Sequence, residues 1–137
     1  MAKFYWHVQL DCLVEPLIEL IENQIAFIRK NKPKSEIETR LRLMKPVRGQ
    51  LPILVVKAGA ACEKVWAAYE KARAAYERAA SEKMWVASRK AIVAYRKKWA
   101  TCEKMITDNM PAIEALHRKE CPNCPWDGKT IFPNKEG

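Results

Sequence analysis

The chain has 137 residues, with 25 Lys or Arg against 16 Asp or Glu, a formal net charge of +9 and 49% apolar residues. That length fits one domain that buries a core without obligatory staples, and the charge favours anionic partners: nucleic acid, an acidic protein or an anionic membrane surface. Only 4 glycines are present, and neither glycine nor proline occurs between residues 60 and 109, which favours long helices over a sheet-and-turn architecture there.

Residues 3 to 10 alternate, with Phe4, Trp6, Val8 and Leu10 on one side and Lys3, Tyr5, His7 and Gln9 on the other. Alone, that is a strand signal. Trp6, Leu10, Leu13, Leu17, Leu20 and Ile21 also fit one helical stripe, and no convincing second strand exists to pair with it, so helix is expected ahead of an extended arm. From Cys12 onward, Leu13, Leu17, Leu20, Ile21, Ile25 and Ile28 recur at three and four residues and predict a helix. Pro16 is tolerable at its start or at a kink, and Arg29 and Lys30 complement its C-terminal dipole.

A polar connection, Asn31 to Lys34, precedes Ser35 and Glu38, whose spacing is that of a capping box. It predicts a short helix from Glu36 to about Lys45, stopped by Pro46. Gly49 marks a turn, and Pro52 suits the first position of the next helix.

A helical pattern then extends to about Asp108. Ala67–Arg73 and Ala74–Ala80 form a tandem heptad, and Cys62, Trp66, Tyr69, Arg73, Tyr76 and Ala80 make a seam that alternates four and three. Ser88, Ile92, Tyr95, Trp99, Cys102 and Ile106 make a second seam, and the two mirror each other about residue 82. Either one unbroken helix over 52–108 pairs with a copy of itself, or the chain turns near 81–83 into an αα-hairpin. Ser81 has no Gly, Pro, Asn or Asp nearby, so local chemistry favours the unbroken helix. With it comes a homo-oligomer held through Trp66, Tyr69, Tyr76, Tyr95 and Trp99.

Asp108 and Asn109 supply a stop and a new N-cap, so a last helix is expected from Met110 to about Lys119, with Met110, Ile113 and Leu116 apolar. Residues 121–137 read as non-helical, with a turn at Asp127–Gly128 that lets Ile131 and Phe132 pack back. The expected class is therefore all-α and elongated, with two shorter N-terminal helices before the long segment. A helical body over 1–120 and a Cys/Pro-rich tail over 121–137 would share one domain.

That tail is where the sequence specifies chemistry. His117, Cys121 and Cys124 stand in H-x3-C-x2-C spacing, and zinc takes thiolate and imidazole ligands in a tetrahedron that a C-x2-C turn can wrap. The fourth ligand is open, with Asp127, Cys102, Cys12, His7 or a residue of a second copy as candidates. His7, lone in an aromatic segment, reads better as a packed or surface histidine. A thiol redox pair or an iron–sulfur site at Cys121 and Cys124 is a second reading, although a position after a helix C-terminus disfavours thiolates. In a third, Trp126, Ile131 and Phe132 form a cap and the cysteines are incidental. Isolated Cys12, Cys62 and Cys102 read as small buried side chains.

Two blocks carry the excess charge: residues 29–48 hold eight Lys or Arg against Glu36 and Glu38, and residues 83–104 hold seven against Glu103. As solvated faces they aid solubility; as a nucleic-acid surface they offer Arg40, Arg42, Lys45 and Arg48, and Arg89, Lys90, Arg96, Lys97 and Lys98. No secretory signal pattern or bilayer-length apolar run is evident, so an intracellular, cytoplasmic protein is expected. No Gly-rich phosphate loop, Ser-His-Asp order or paired metal carboxylates mark an enzyme. The leading expectation is a basic helical interaction and assembly protein with a metal-stabilised knuckle, docking on a larger complex or an acidic partner.

Overall fold

The computed structural model describes residues 3–8 and 12–133. In chain order the elements are β1 (Lys3–Trp6), β2 (Val14–Leu17), α1 (Ile21–Asn31), α2 (Lys34–Leu43), β3 (Lys45–Pro46), α3 (Ile53–Arg78), α4 (Glu82–Asp108) and α5 (Met110–Glu120). The chain divides into two compact units, one formed by Pro52–Met110 and one by Lys3–Leu51 with the chain from Pro111 onward. The fold is mostly helical, but a small sheet corrects the all-α expectation.

In the second unit, β1 lies between β2 and β3 and is antiparallel to both, with Phe4 opposite Pro16, and Trp6 opposite Val14 and Lys45. The alternation that signalled a strand is therefore used as one, and the helix expected through Trp6 and from Cys12 does not form; Leu10 lies outside the described residues. Phe4 and Trp6 are buried. Pro16 explains the choice at β2: it has no N–H for a helix interior, but an edge strand tolerates it. Helix begins only at Ile21, where the three-and-four spacing of Ile21, Ile25 and Ile28 continues without proline. Ile28, Val8 and Met44 form a core, against which Tyr5, Ile21, Ile25, Ile37 and Leu41 pack.

Pro33, not Ser35, is the N-cap of α2, and no side chain caps it. Ser35 lies inside the first turn, so the capping-box expectation is wrong by two residues; proline already presets the entry dihedral there. Glu36 and Arg40, one turn apart on α2, form a buried ion pair with Nη2···Oε1 at 2.8 Å and Nε···Oε1 at 3.0 Å. The Arg40 guanidinium also lies 5.4 Å from the Phe132 ring centroid. A Cβ at Gly49 would stand 2.5 Å from Leu116 Cδ1 and 2.9 Å from Glu120 Oε2, so the ends of both side chains would have to shift to admit it.

The other unit is an αα-hairpin. The unbroken 52–108 helix is not formed, because the chain leaves helical geometry at Ala79 and re-enters through Ser81, an extended residue whose Oγ accepts from the Met84 amide at 3.2 Å. Ser is among the strongest N-caps, so the residue discounted as a turn former acts as the start signal of α4. Both seams then face one another within the chain: Cys62, Cys102 and Ile106 are buried, and the Trp66 ring lies 4.7 Å from Tyr95 and 5.3 Å from Tyr69. Tyr95 and Trp99 continue the row with ring centroids 6.1 Å apart. Arg73 departs from the expected seam: its side chain is 46% exposed and bridges Glu70 and Glu77, each at 3.0 Å.

Candidate metal centre

Three potential ligands come together in the sheet unit, two from the end of α5 and the turn after it and one from the other end of the chain. His117 sits in the last turn of α5, where the helix spacing that buries Ile113 also buries it. The Cys121 amide donates to the His117 carbonyl at 2.7 Å and the Cys124 amide to the Cys121 carbonyl at 3.2 Å, so the C-x2-C segment is a tight turn on the end of the helix. His7 arrives from the end of β1. Its φ of +56° breaks the strand alternation, so that Trp6, His7 and Val8 are buried in succession instead of His7 facing away with Tyr5. A positive φ is uncommon outside glycine, although histidine is among the residues enriched there, and a conformation of this kind is held in place by its surroundings.

His7 Nε2 lies 2.9 Å from His117 Nε2 and 3.1 Å from Cys124 Sγ. All three ligand atoms lie within 4.8 Å of one another. A tetrahedral zinc with Zn–N of about 2.05 Å and Zn–S of about 2.3 Å separates N–N pairs by about 3.3 Å and N–S pairs by about 3.6 Å. The two pairs that share His7 therefore need to open by only about half an ångström to admit the ion. Hydrogen bonding alone accounts poorly for the arrangement. A neutral imidazole Nε2 offers one proton or one lone pair, so it fully satisfies one of its two close neighbours. Its other nitrogen, Nδ1, is buried without a hydrogen-bond partner among the described residues.

The electrostatics suit ligation by neutral imidazoles. Burial, with smaller contributions from His117 and Lys45, lowers the His7 pKa to about 4. Burial also lowers His117, partly opposed by Glu114. Both thiols are pushed up by burial: Cys121 is opposed chiefly by Lys45, and Cys124 by the Trp126 backbone amide, Lys45 and Arg42. Without a cation the cysteines are therefore thiols, which argues against a low-pKa redox nucleophile. A bound cation would have to displace their protons.

Glu120 ties the neighbouring chain segments together. Its Oε1 accepts from Trp6 Nε1 at 3.1 Å and the Arg48 amide at 2.8 Å, and its Oε2 accepts from the Gly49 amide at 2.7 Å. Burial pushes this carboxyl up, but the three hydrogen bonds outweigh it and hold the group below its ordinary range. Trp6 also packs edge-on against His117, with ring centroids 5.1 Å apart, and His7 lies 5.7 Å from Trp126. One carboxylate thus fixes the strand carrying His7, the loop after β3 and the end of α5.

Of the ligands expected from the tail, His117 and Cys124 belong to this cluster. Cys121 is buried beside it, near enough to Cys124 and Lys45 to feel both, but its sulfur is not one of the three convergent atoms. Asp127 is exposed and its Oδ1 accepts from the Lys129 and Thr130 amides at 2.9 Å each, shaping the turn at Gly128, where φ is +102°. Ile131 packs into the unit at 2% exposure. Cys12 donates to the Val14 carbonyl at 3.2 Å, and Cys102 is buried in α4. His7 is the member that spacing ranked low. Its only sequence signal was its aromatic setting, and its conformation depends on pairing that local patterns do not carry.

The two basic blocks divide differently. Arg40 is buried against Glu36 and Phe132, while Arg42 and Arg48 are exposed and Lys45 is half-buried near the thiols. Arg89, Lys90, Arg96, Lys97 and Lys98 are all exposed on α4. No helix among the described residues is long and apolar enough to cross a membrane. Comparison with models of known protein families, with curated proteins and with solved structures finds no match to this chain.

Proposed function

We propose that this chain is a small metal-stabilised helical interaction protein, and that its metal is zinc, held structurally and not for catalysis. The observation that carries the reading is the convergence of His7 Nε2, His117 Nε2 and Cys124 Sγ inside one unit. Cys121 is the proposed fourth ligand, because rotation of its side chain within the tight turn is the shortest route to a closed Cys2His2 set. Charge supports the same choice. One thiolate would leave a zinc site at +1 beside Lys45, whereas two thiolates make the centre neutral. Mixed imidazole and thiolate ligation favours zinc over magnesium or calcium, which prefer oxygen.

A closed set leaves no position for a substrate, which is why the role is assigned to stability. The ion would join the end of β1 to α5 and the tail, segments more than a hundred residues apart in sequence, much as a disulfide framework does in a secreted domain. The interaction role rests on the exposed cations of α4 and on the exposed apolar side chains of the hairpin unit, Ile53, Leu54, Trp85, Val86 and Val93. Of the aromatic residues expected to hold a second copy, Trp66 and Tyr95 pack on each other across the chain's own two helices.

Native mass spectrometry of the full chain refolded with zinc tests the reading. One zinc per chain is expected, lost in Cys124→Ser and His117→Ala and retained in Cys12→Ala. Cobalt substitution should give thiolate-to-metal absorption that weakens in Cys121→Ser. A chain that remains metal-free after refolding with excess zinc sinks the proposal, and a site that survives His7→Ala unchanged removes His7 from it.

A further inference from the structure

The two faces of α4 differ in a way that the hairpin does not require. Tyr95, Trp99, Cys102 and Ile106 lie on the side turned to α3. On the other side, Trp85, Val86, Arg89, Lys90, Val93, Arg96 and Lys97 are exposed. At about 100° per residue these seven fall within an arc of about 140°. No acidic residue occurs between Glu82 and Glu103, and no ion pair among the described residues engages Arg89, Lys90, Arg96 or Lys97.

At the N-terminal end of this face, Trp85 is 51% exposed with the Arg89 guanidinium 5.9 Å from its ring centroid. Beside it an open recess of about 330 Å³ is lined by Tyr76, Ala80, Ser81, Glu82 and Trp85. A solvated cationic face needs no bare indole at one end, and the recess gives that indole and Tyr76 a shared opening. The chemistry of the two ends is complementary to one ligand. A row of guanidinium and ammonium groups attracts phosphates, and an exposed aromatic plane stacks on an unpaired base. Glu82 at the recess disfavours a phosphate there and offers an acceptor for base N–H groups, so the base end of the ligand belongs at the tip.

We propose that this outward face of α4 binds single-stranded nucleic acid, with the backbone along Arg89, Lys90, Arg96 and Lys97 and one base stacked on Trp85 at the hairpin tip. A duplex hides the base faces that Trp85 would meet. A bilayer would require a continuous apolar face, and the continuous apolar face of α4 is the one against α3. The proposal is independent of the metal centre.

Fluorescence anisotropy of a labelled 15-nucleotide mixed-sequence single strand with the full chain tests it. The matching duplex and phosphatidylserine vesicles serve as the other arms. Binding to the single strand should exceed binding to the duplex and weaken steeply with salt. The Arg96→Ala/Lys97→Ala double variant should lose two phosphate contacts and reduce the slope of log affinity against log salt by about 1.4. Trp85→Ala should weaken binding about 5- to 100-fold with the slope unchanged, and Trp85→Phe should recover part of it. All these positions are exposed, and thermal unfolding of each variant should match the parent. The proposal fails if the duplex binds as well as the single strand, if vesicles bind and the single strand does not, or if Arg42→Ala/Arg48→Ala causes the loss instead.

Discussion

The hairpin unit and the sheet unit bring their buried side chains together by different routes. In the hairpin, Cys62 and Cys102 are buried and Trp66 and Tyr95 meet because each helix repeats its apolar residues at three and four, so the packing follows from local periodicity. In the sheet unit, His7 at a strand end meets His117 at a helix end and Cys124 in the turn that follows it, although more than a hundred residues separate it from either. Periodicity builds the hairpin's scaffold, and non-local closure builds the candidate site. The two units should therefore respond very differently to loss of a ligand.

Metal removal should give the largest contrast. Structural zinc is worth on the order of 10 kcal/mol in small zinc-binding peptides. Chelation, or Cys124→Ser, should accordingly collapse amide hydrogen-exchange protection in β1, α1, α2 and α5 while much of that in α3 and α4 persists. Equal loss of protection in both units would break the distinction. Glu120→Ala comes next. It strands the buried Trp6 indole N–H, while the exposed Arg48 and Gly49 amides turn to water, for an expected loss of about 1–3 kcal/mol in denaturant unfolding. Glu120→Gln should recover part of this, since its amide oxygen still accepts.

Acid should act on the sheet unit through His7. Its pKa is lowered from 6.5 to about 4 in the fold, so the unfolded chain binds the extra proton between those values. The neutral ring's contribution is thus fully present above pH 6.5 and lost progressively as pH falls toward about 4, with a ceiling of about 3 kcal/mol. In the metal-bound protein the same protons compete with the ion and deepen the loss. Thermal unfolding followed across that window should show a slope in the parent that flattens in His7→Asn. An unchanged slope would mean that His7 is not buried in the neutral form.

What could be read from the residues divides along the same line. The seams Cys62–Trp66–Tyr69 and Ile92–Tyr95–Trp99–Cys102 were legible because the helix period is local, and H-x3-C-x2-C was legible because its spacing is local. The strands were not, because β1 pairs with residues 14–17 and 45–46, and nothing near Phe4 or Trp6 announces those partners. His7 was ranked low for a related reason: alternation puts it on the side of Tyr5, and only the left-handed turn after Trp6 reverses that. Pro16 could have warned against the long N-terminal helix, since a proline in mid-helix costs roughly 3 kcal/mol while an edge strand accommodates it.

The smallest predicted effect separates the two readings of residues 79–82 by its sign. In one unbroken helix, Ser81→Ala would replace a middling helix former with the best one and raise stability by a few tenths of a kcal/mol to about 0.5 kcal/mol. In the hairpin, Ser81 is the N-cap of α4, and its Oγ is the acceptor for the Met84 amide. Removing it should lower stability by about 1 kcal/mol, and Ser81→Asp should restore it, since Asp caps as well and its charge also meets the positive end of the helix dipole. The same substitution thus stabilises one architecture and destabilises the other. Chemical denaturation of Ser81→Ala and Ser81→Asp side by side decides between them, because only a helix that begins at Glu82 makes the alanine variant the weaker of the two.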